Sequence, residues 1–236
     1  MCARAVFVGS VFGLVVFTVF AQGETNLIKR LPNANEAVER LREQGGGFSF
    51  YEVAKKTVSR LEKHRIQNND QILKLLHGRS DSYMTLEWVG GFQGGYNIVA
   101  LTEKEAVVLR TDSSGICAMI RLSHTYVAIL YEQVKSHHAA LDAYQGGSSL
   151  IEFDTPLLFG KIAVSPMKEH SFVTFYPDIP DKMKGRKEPQ GYKILGSIMA
   201  VLKQAIKKKD FVFLDSLKCD GQGASVLRSD FFDDAF

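Results

Sequence analysis

The sequence predicts an α+β fold: an antiparallel sheet built from hairpins with helices packed on one face, preceded by an N-terminal helical segment. Three observations predict it. Apolar residues recur at helical spacing between about residues 25 and 82. The period then shortens to runs rich in β-branched and aromatic residues: YMTLEWV, YNIVALT, AVVLRT and ICAMIRL. Strands followed by a helix then occur twice, the order expected when helices gather on one face of an antiparallel sheet.

Each element has its own local reason. Asn33 precedes EAVERLRE with Glu36 three residues on, and the glycines of residues 45–47 end that helix. Ser49 and Glu52 have the spacing of a capping box. Behind them Phe50, Val53, Ala54, Val58 and Leu61 are expected on one helical face, with Lys55, Lys56, Arg60 and Lys63 off it. DQILKLLHG is a third, shorter helix with Gly78 at its C-terminal cap. This amphipathic segment must bury its stripe against something. The polar residues 78–82 link it to a meander of about four antiparallel strands, with DSSG turning the last pair. Ser123 is placed to cap a long helix over residues 124–144, with Tyr126, Val127, Leu130, Val134 and Leu141 inward and Gly146 stopping it. A second hairpin spans LLFGKIAV and HSFVTFY. A proline- and lysine-bearing loop leads to a helix over residues 192–208, and FVFLDSL is a last strand. The division this suggests is residues 1–23 as a leader, 24–82 helical, 83–219 as the α+β domain and 220–236 as an acidic mobile tail.

The leader is read from its layout. Arg4 precedes the uncharged apolar run of residues 5–20, and Ala21 and Gly23 supply small residues before polar ETN, as in a secretory signal peptide. The run falls short of the ~20 residues of a membrane span. The expected location is secreted or periplasmic, with cleavage after Ala21 or Gly23. The alternative is an uncleaved N-terminal anchor. The whole chain has a formal charge of +3, which falls by one with Arg4, so bulk nucleic-acid binding is not expected. Cys117 and Cys219 remain beyond the leader as an even pair in a disulfide-permissive compartment, either bridged or as two buried thiols. No N-x-Ser/Thr sequon occurs.

The order of elements resembles emfourin-type domains. The matching pieces are VGGFQG at residues 89–94, RLS at 121–123, and the order His170, Pro180, Leu202, together covering about residues 83–209. The resemblance implies a small α+β domain that inhibits thermolysin-like metalloproteases. It assigns no inhibitory residue to this chain.

Motifs of chemistry are sparse. Gly90 and Gly95 have phosphate-loop spacing, but Tyr96 and Asn97 stand where Lys and Ser/Thr are required. The glycines of EWVGGFQGGY lie between two strands, so a dinucleotide fingerprint is excluded as well. No G-x-S-x-G and no H-E-x-x-H occurs. His137, His138 and Asp142 are the best metal-like group, but a zinc site wants three or four ligands, and a solvated helix face accounts for them. Lys182, Lys184, Lys187, Arg186 and Lys207 to Lys209 form either a basic patch or ordinary charge balance. Phe231, Phe232 and Phe236 are a candidate docking peptide or part of a disordered tail.

No catalytic residue, metal or cofactor is therefore assigned, and whether the chain is an enzyme is left open. The leading expectation is an exported, non-enzymatic, protein-binding α+β domain, inhibitor-like in its resemblance. Its partner would be an exported protease or an envelope protein, met by Trp88, Phe92 and Tyr96 around the glycine turn. Trp88 is equally well placed in a core. The alternatives are an exported hydrolase with a dispersed site that draws on His170, Asp178 and a serine, and a membrane-tethered structural protein.

Overall fold

The computed structural model describes residues 29–43, 48–76, 81–90, 95–144, 146, 156–165, 168–177, 189–218 and 231–232. The leader, Phe92, Asp178, Cys219, Phe236 and the lysines of residues 182–187 lie outside them. In chain order the elements are α1 (Ala34–Glu43), α2 (Phe48–Gln67), α3 (Asn69–Leu76), β1 (Tyr83–Val89), β2 (Tyr96–Thr102), β3 (Ala106–Thr111), β4 (Ile116–Leu122), α4 (His124–Ser136), α5 (His138–Asp142), β5 (Leu157–Ala163), β6 (His170–Phe175), α6 (Gln190–Lys207) and β7 (Phe211–Lys218).

The strands make one seven-stranded sheet in the order β6-β5-β1-β2-β3-β4-β7. Every neighbouring pair is antiparallel. The meander β1 to β4 forms the centre, the second hairpin adds at β1, and β7 adds at β4. The α+β class, the hairpins and the last strand are as the sequence predicts.

One face carries α4 to α6. Met84, Leu86 and Trp88 of β1 and Val99 and Leu101 of β2 meet Leu130, Leu195, Ile198 and Leu202 there. The N-terminal helices cover the other face. Their stripe of Val38, Leu41, Ala54, Leu61, Leu75 and Leu76 shares a core with Tyr96, Ile98, Leu109 and Phe159. The helical segment thus buries its stripe on the sheet itself. β1, β2 and β3 are consequently buried along their whole length.

Local chemistry explains most boundaries. Asn33 starts α1: its side-chain oxygen accepts from the Glu36 N–H at 3.2 Å and its amide donates to the Glu36 carboxylate at 2.9 Å. Three expectations are corrected. α2 begins at Phe48, so Ser49 lies inside its first turn and not at the cap. Val53 is half exposed, because the buried stripe runs through Ala54, Val58 and Leu61, and Val53 falls beyond its edge. The long helix of residues 124–144 is broken at His137, whose φ of −110° and ψ of 19° leave the helical region, so that α5 starts afresh.

The tail is corrected as well. Phe232 is fully buried among Phe211, Phe213 and Phe231, with ring centroids 5.3–6.3 Å away. The Phe231 ring lies 5.4 Å from the guanidinium carbon of buried Arg110. These two residues of the acidic tail are part of the fold.

The β5–β6 hairpin depends on a missing side chain. A Cβ at Gly160 would stand 2.1 Å from Cζ of the fully buried Phe172. Gly160→Ala should therefore cost about 1–3 kcal/mol, measured as a lower urea midpoint with an unchanged slope.

Candidate functional site

The β1–β2 turn makes its own closure. The Gly90 N–H donates to the Gly95 carbonyl at 2.9 Å, and Gly90 holds φ at +133°, which a side chain would resist. A Cβ at Gly95 would come within 2.6 Å of the Thr111 carbonyl, so the turn also passes close over β3. Gly90 and Gly95 serve backbone geometry here.

Trp88 and Tyr96 beside the turn are not a contact surface. Trp88 is 1% exposed and Tyr96 0%. The pleat sends them to opposite faces: Trp88 packs edge-on to Tyr176 at 5.4 Å under α4 and α6, and Tyr96 stacks on His64 at 5.5 Å under α2. Their assignment as partner-binding residues is corrected on this ground. Phe92, the third of them, lies outside the described residues.

Tyr96 belongs instead to a buried charged cluster. Glu87 on β1 is 0% exposed. Arg65 near the end of α2 grips both its oxygens, with Nε donating to Oε1 at 2.8 Å and Nη2 to Oε2. Arg65 Nη2 also donates to the Pro32 carbonyl at 2.8 Å. The Tyr96 hydroxyl donates to Glu87 Oε1 at 2.6 Å. Burial, with the Glu87 charge adding to it, pushes the Tyr96 hydroxyl well above the ordinary tyrosine range. Burial works against the Arg65 charge, but Glu87 more than offsets it and Arg65 is raised. Burial holds the His64 ring below the usual histidine value, helped by Arg60 and Lys63.

Two further polar groups tie the N-terminal layer to the sheet. Lys161 on β5 donates to the Lys29 carbonyl and meets Glu169 at 2.7 Å, while the Tyr83 hydroxyl donates to Glu169 at 2.9 Å. Burial, then the Glu169 hydrogen bond, raises Tyr83. Partial burial of Glu169 is outweighed by Lys161 and Tyr83, which hold it below its ordinary value. Elsewhere, buried Asn68 accepts from the Thr111 hydroxyl at 2.7 Å, and Cys117 Sγ lies 3.0 Å from both. Cys117 is disulfide-bonded.

The residues considered for chemistry are scattered. His170, drawn on by the hydrolase alternative, is buried on β6, with Nδ1 donating to the Lys168 carbonyl at 3.2 Å. Asp178 lies outside the described residues. His138 turns its Nδ1 to the Lys135 carbonyl at 2.9 Å. Among the described residues no group of three or more His, Cys, Asp or Glu could hold a metal, and no helix is long and apolar enough to cross a membrane.

Among the described residues, consecutive exposed apolar side chains occur on β7, which stands there at the end of the sheet with β4 as its strand neighbour. Val212, Phe213 and Leu214 on it are 59%, 43% and 39% exposed. Sequence reading placed the contact at the glycine turn and missed this strip. The consecutive apolar residues of FVFL on the last strand were the available signal. No protein-family model, curated protein or solved structure matches the chain.

The charged cluster has measurable consequences. Glu87→Gln leaves Arg65 without its counter-charge and should cost about 3 kcal/mol, whereas Tyr96→Phe should cost about 1.5 kcal/mol; chemical denaturation reads both. Tyr96 and Tyr83 are raised above 10.0 in the fold. Their contribution is complete below pH 10, declines above it as the unfolded chain ionises, and is lost once pH passes the folded values. Tyr96→Phe should flatten that alkaline decline.

Proposed function

We propose that this is an exported, non-enzymatic protein that binds another protein through the open edge of β7. The exposed run Val212, Phe213, Leu214 on an edge strand carries this reading. Unpaired N–H and C=O groups along such an edge can take up an extended segment of a partner as an eighth strand, with alternate side chains seated on either face. Natural sheets usually blunt exposed apolar edges. β7 has one such device, a bulge that leaves Leu214 unpaired opposite Met119 and Ile120, yet it still presents Val212, Phe213 and Leu214 to solvent, which fits a surface that is covered in use.

Export rests on the N-terminal layout of charge, apolar run and small residues. The disulfide at Cys117 supports it, since such bonds persist in oxidising compartments. The register pairs Ile116 with Lys218, the residue joined to Cys219, which favours Cys219 as the mate. The emfourin-type resemblance makes an exported metalloprotease the first partner to try.

Two experiments test this. Val212→Lys with Leu214→Lys should leave the melting temperature unchanged and abolish capture of a partner from the native exported fraction, and any inhibition of a thermolysin-like protease. Equal capture by both proteins, or none by the unaltered chain, would overturn the β7 reading. Peptide mapping of the native protein without reduction should give a Cys117–Cys219 cross-link and a first residue between Glu24 and the end of the apolar run. A chain that starts at Met1 argues for the anchored alternative.

A further inference from the structure

A cavity of about 300 Å³ lies where the end of β4, the start of α4 and the α6–β7 turn meet. Lys104, Arg121 and Lys209 line it against a single lining carboxylate, Asp210, with His124 beside them. Glu105, partly buried, stands 3.4 Å from Nε of the half-exposed Arg121. Phe211 and Leu122 give the cavity an apolar wall.

The polar groups at its base are unspent. Ser123 has the extended backbone of a helix cap, yet its hydroxyl makes no capping bond, and Oγ is buried without a hydrogen-bond partner. The first backbone bond of α4 runs from the Val127 N–H to the Ser123 carbonyl. The N–H groups of His124, Thr125 and Tyr126 therefore have no acceptor within the helix. The Ser123 N–H donates to the Asp210 carbonyl at 3.1 Å and fixes the turn against the helix start.

Lys209 adds an independent sign. Asp210 N–H bonds to the Ala205 carbonyl and Lys209 N–H to the Ile206 carbonyl, the helix-ending arrangement whose left-handed position favours glycine. Lys209 occupies it with φ at +56°. A side chain stands where a glycine would be easier, and it lines the cavity.

We propose that this cavity binds a small phosphorylated molecule. The phosphoryl oxygens accept from the α4 N-terminus and the Ser123 hydroxyl, Lys104, Arg121 and Lys209 balance the charge, and the remainder of the ligand lies on Phe211 and Leu122. The cavity shares Phe211 and Val212 with β7, but the proposal does not rest on the β7 reading, since it concerns a small ligand and not a protein.

The test is calorimetric titration of the full chain with inorganic pyrophosphate at low ionic strength, alongside ¹⁵N chemical shifts. The expected result is saturable one-to-one binding that moves the amides of His124, Thr125 and Tyr126. Affinity should fall at least tenfold in Arg121→Gln and in Lys209→Gly. The ligand-free Lys209→Gly protein should melt higher than the unaltered chain, because glycine relaxes the left-handed turn, so its loss of binding cannot come from unfolding. Undiminished affinity in both variants, shifts spread over the surface lysines, or the same response to sodium chloride at matched ionic strength would each overturn the proposal.

Discussion

The bidentate contact between Arg65 and Glu87 is what lets a sheet buried on both faces carry a carboxylate inside one of its cores. Antiparallel sheets commonly leave one face to water. Here the first three strands are covered along their length by two helical layers, so a carboxylate on β1 has no solvent to turn to. A buried charge survives only if it is paired and its lone pairs are filled. Arg65 supplies two donors, Tyr96 a third, and Arg65 spends another on the Pro32 carbonyl. One cluster thus joins β1, β2, α2 and the chain entering α1. Arg65 keeps about a fifth of its side chain exposed while Glu87 keeps none, so the guanidinium gives up less hydration than the carboxylate it neutralises.

The same arrangement recurs at the margins of that layer. Lys161, Glu169 and Tyr83 hold the chain at Lys29 to the β5–β6 hairpin. Asn68, between α2 and α3, is held to β3 by Thr111. Apolar burial supplies the bulk of the attraction between helices and sheet, being proportional to area and without direction. The polar contacts fix where along the sheet each helix sits. The N-terminal helices are therefore as much a part of the fold as the meander, although the composition changes sharply between them.

Much of this was legible in the sequence because it is local. β1, β2, β3 and β4 coincide with the runs YMTLEWV, YNIVALT, AVVLRT and ICAMIRL, and Asn33 with Glu36 announces α1. What was not legible is what spans elements. Arg65 and Glu87 are 22 positions apart, and no spacing rule links a helix end to a strand it crosses. Trp88 and Tyr96 look like loop-tip aromatics when only the intervening glycines are seen, yet each sits inside a strand whose pleat points it into a core. The near-continuous apolar character of those strands was a sign of burial on both sides, but it reads equally as a strongly apolar strand packed on one. His137 breaks its helix without proline or glycine, so composition carried no warning.

The two edges of the sheet show why the open strip is at β7. At β6 the chain at Gly146 lies against the backbone of Val173: a Cβ there would stand 2.3 Å from its carbonyl oxygen and 3.1 Å from its nitrogen. That proximity shields the β6 edge. Among the described residues no such approach is seen at β7, where Val212, Phe213 and Leu214 remain substantially in water while Phe211 is drawn into the cluster around Phe232. The docked Phe231–Phe232 pair thus steadies the start of β7 on the face that carries α4 and α6. A strand held on one face and paired along one edge is already extended, so a partner segment that joins it does not have to order it. Residues on a preformed edge can therefore offer more binding per contact than the same apolar side chains on a free tail.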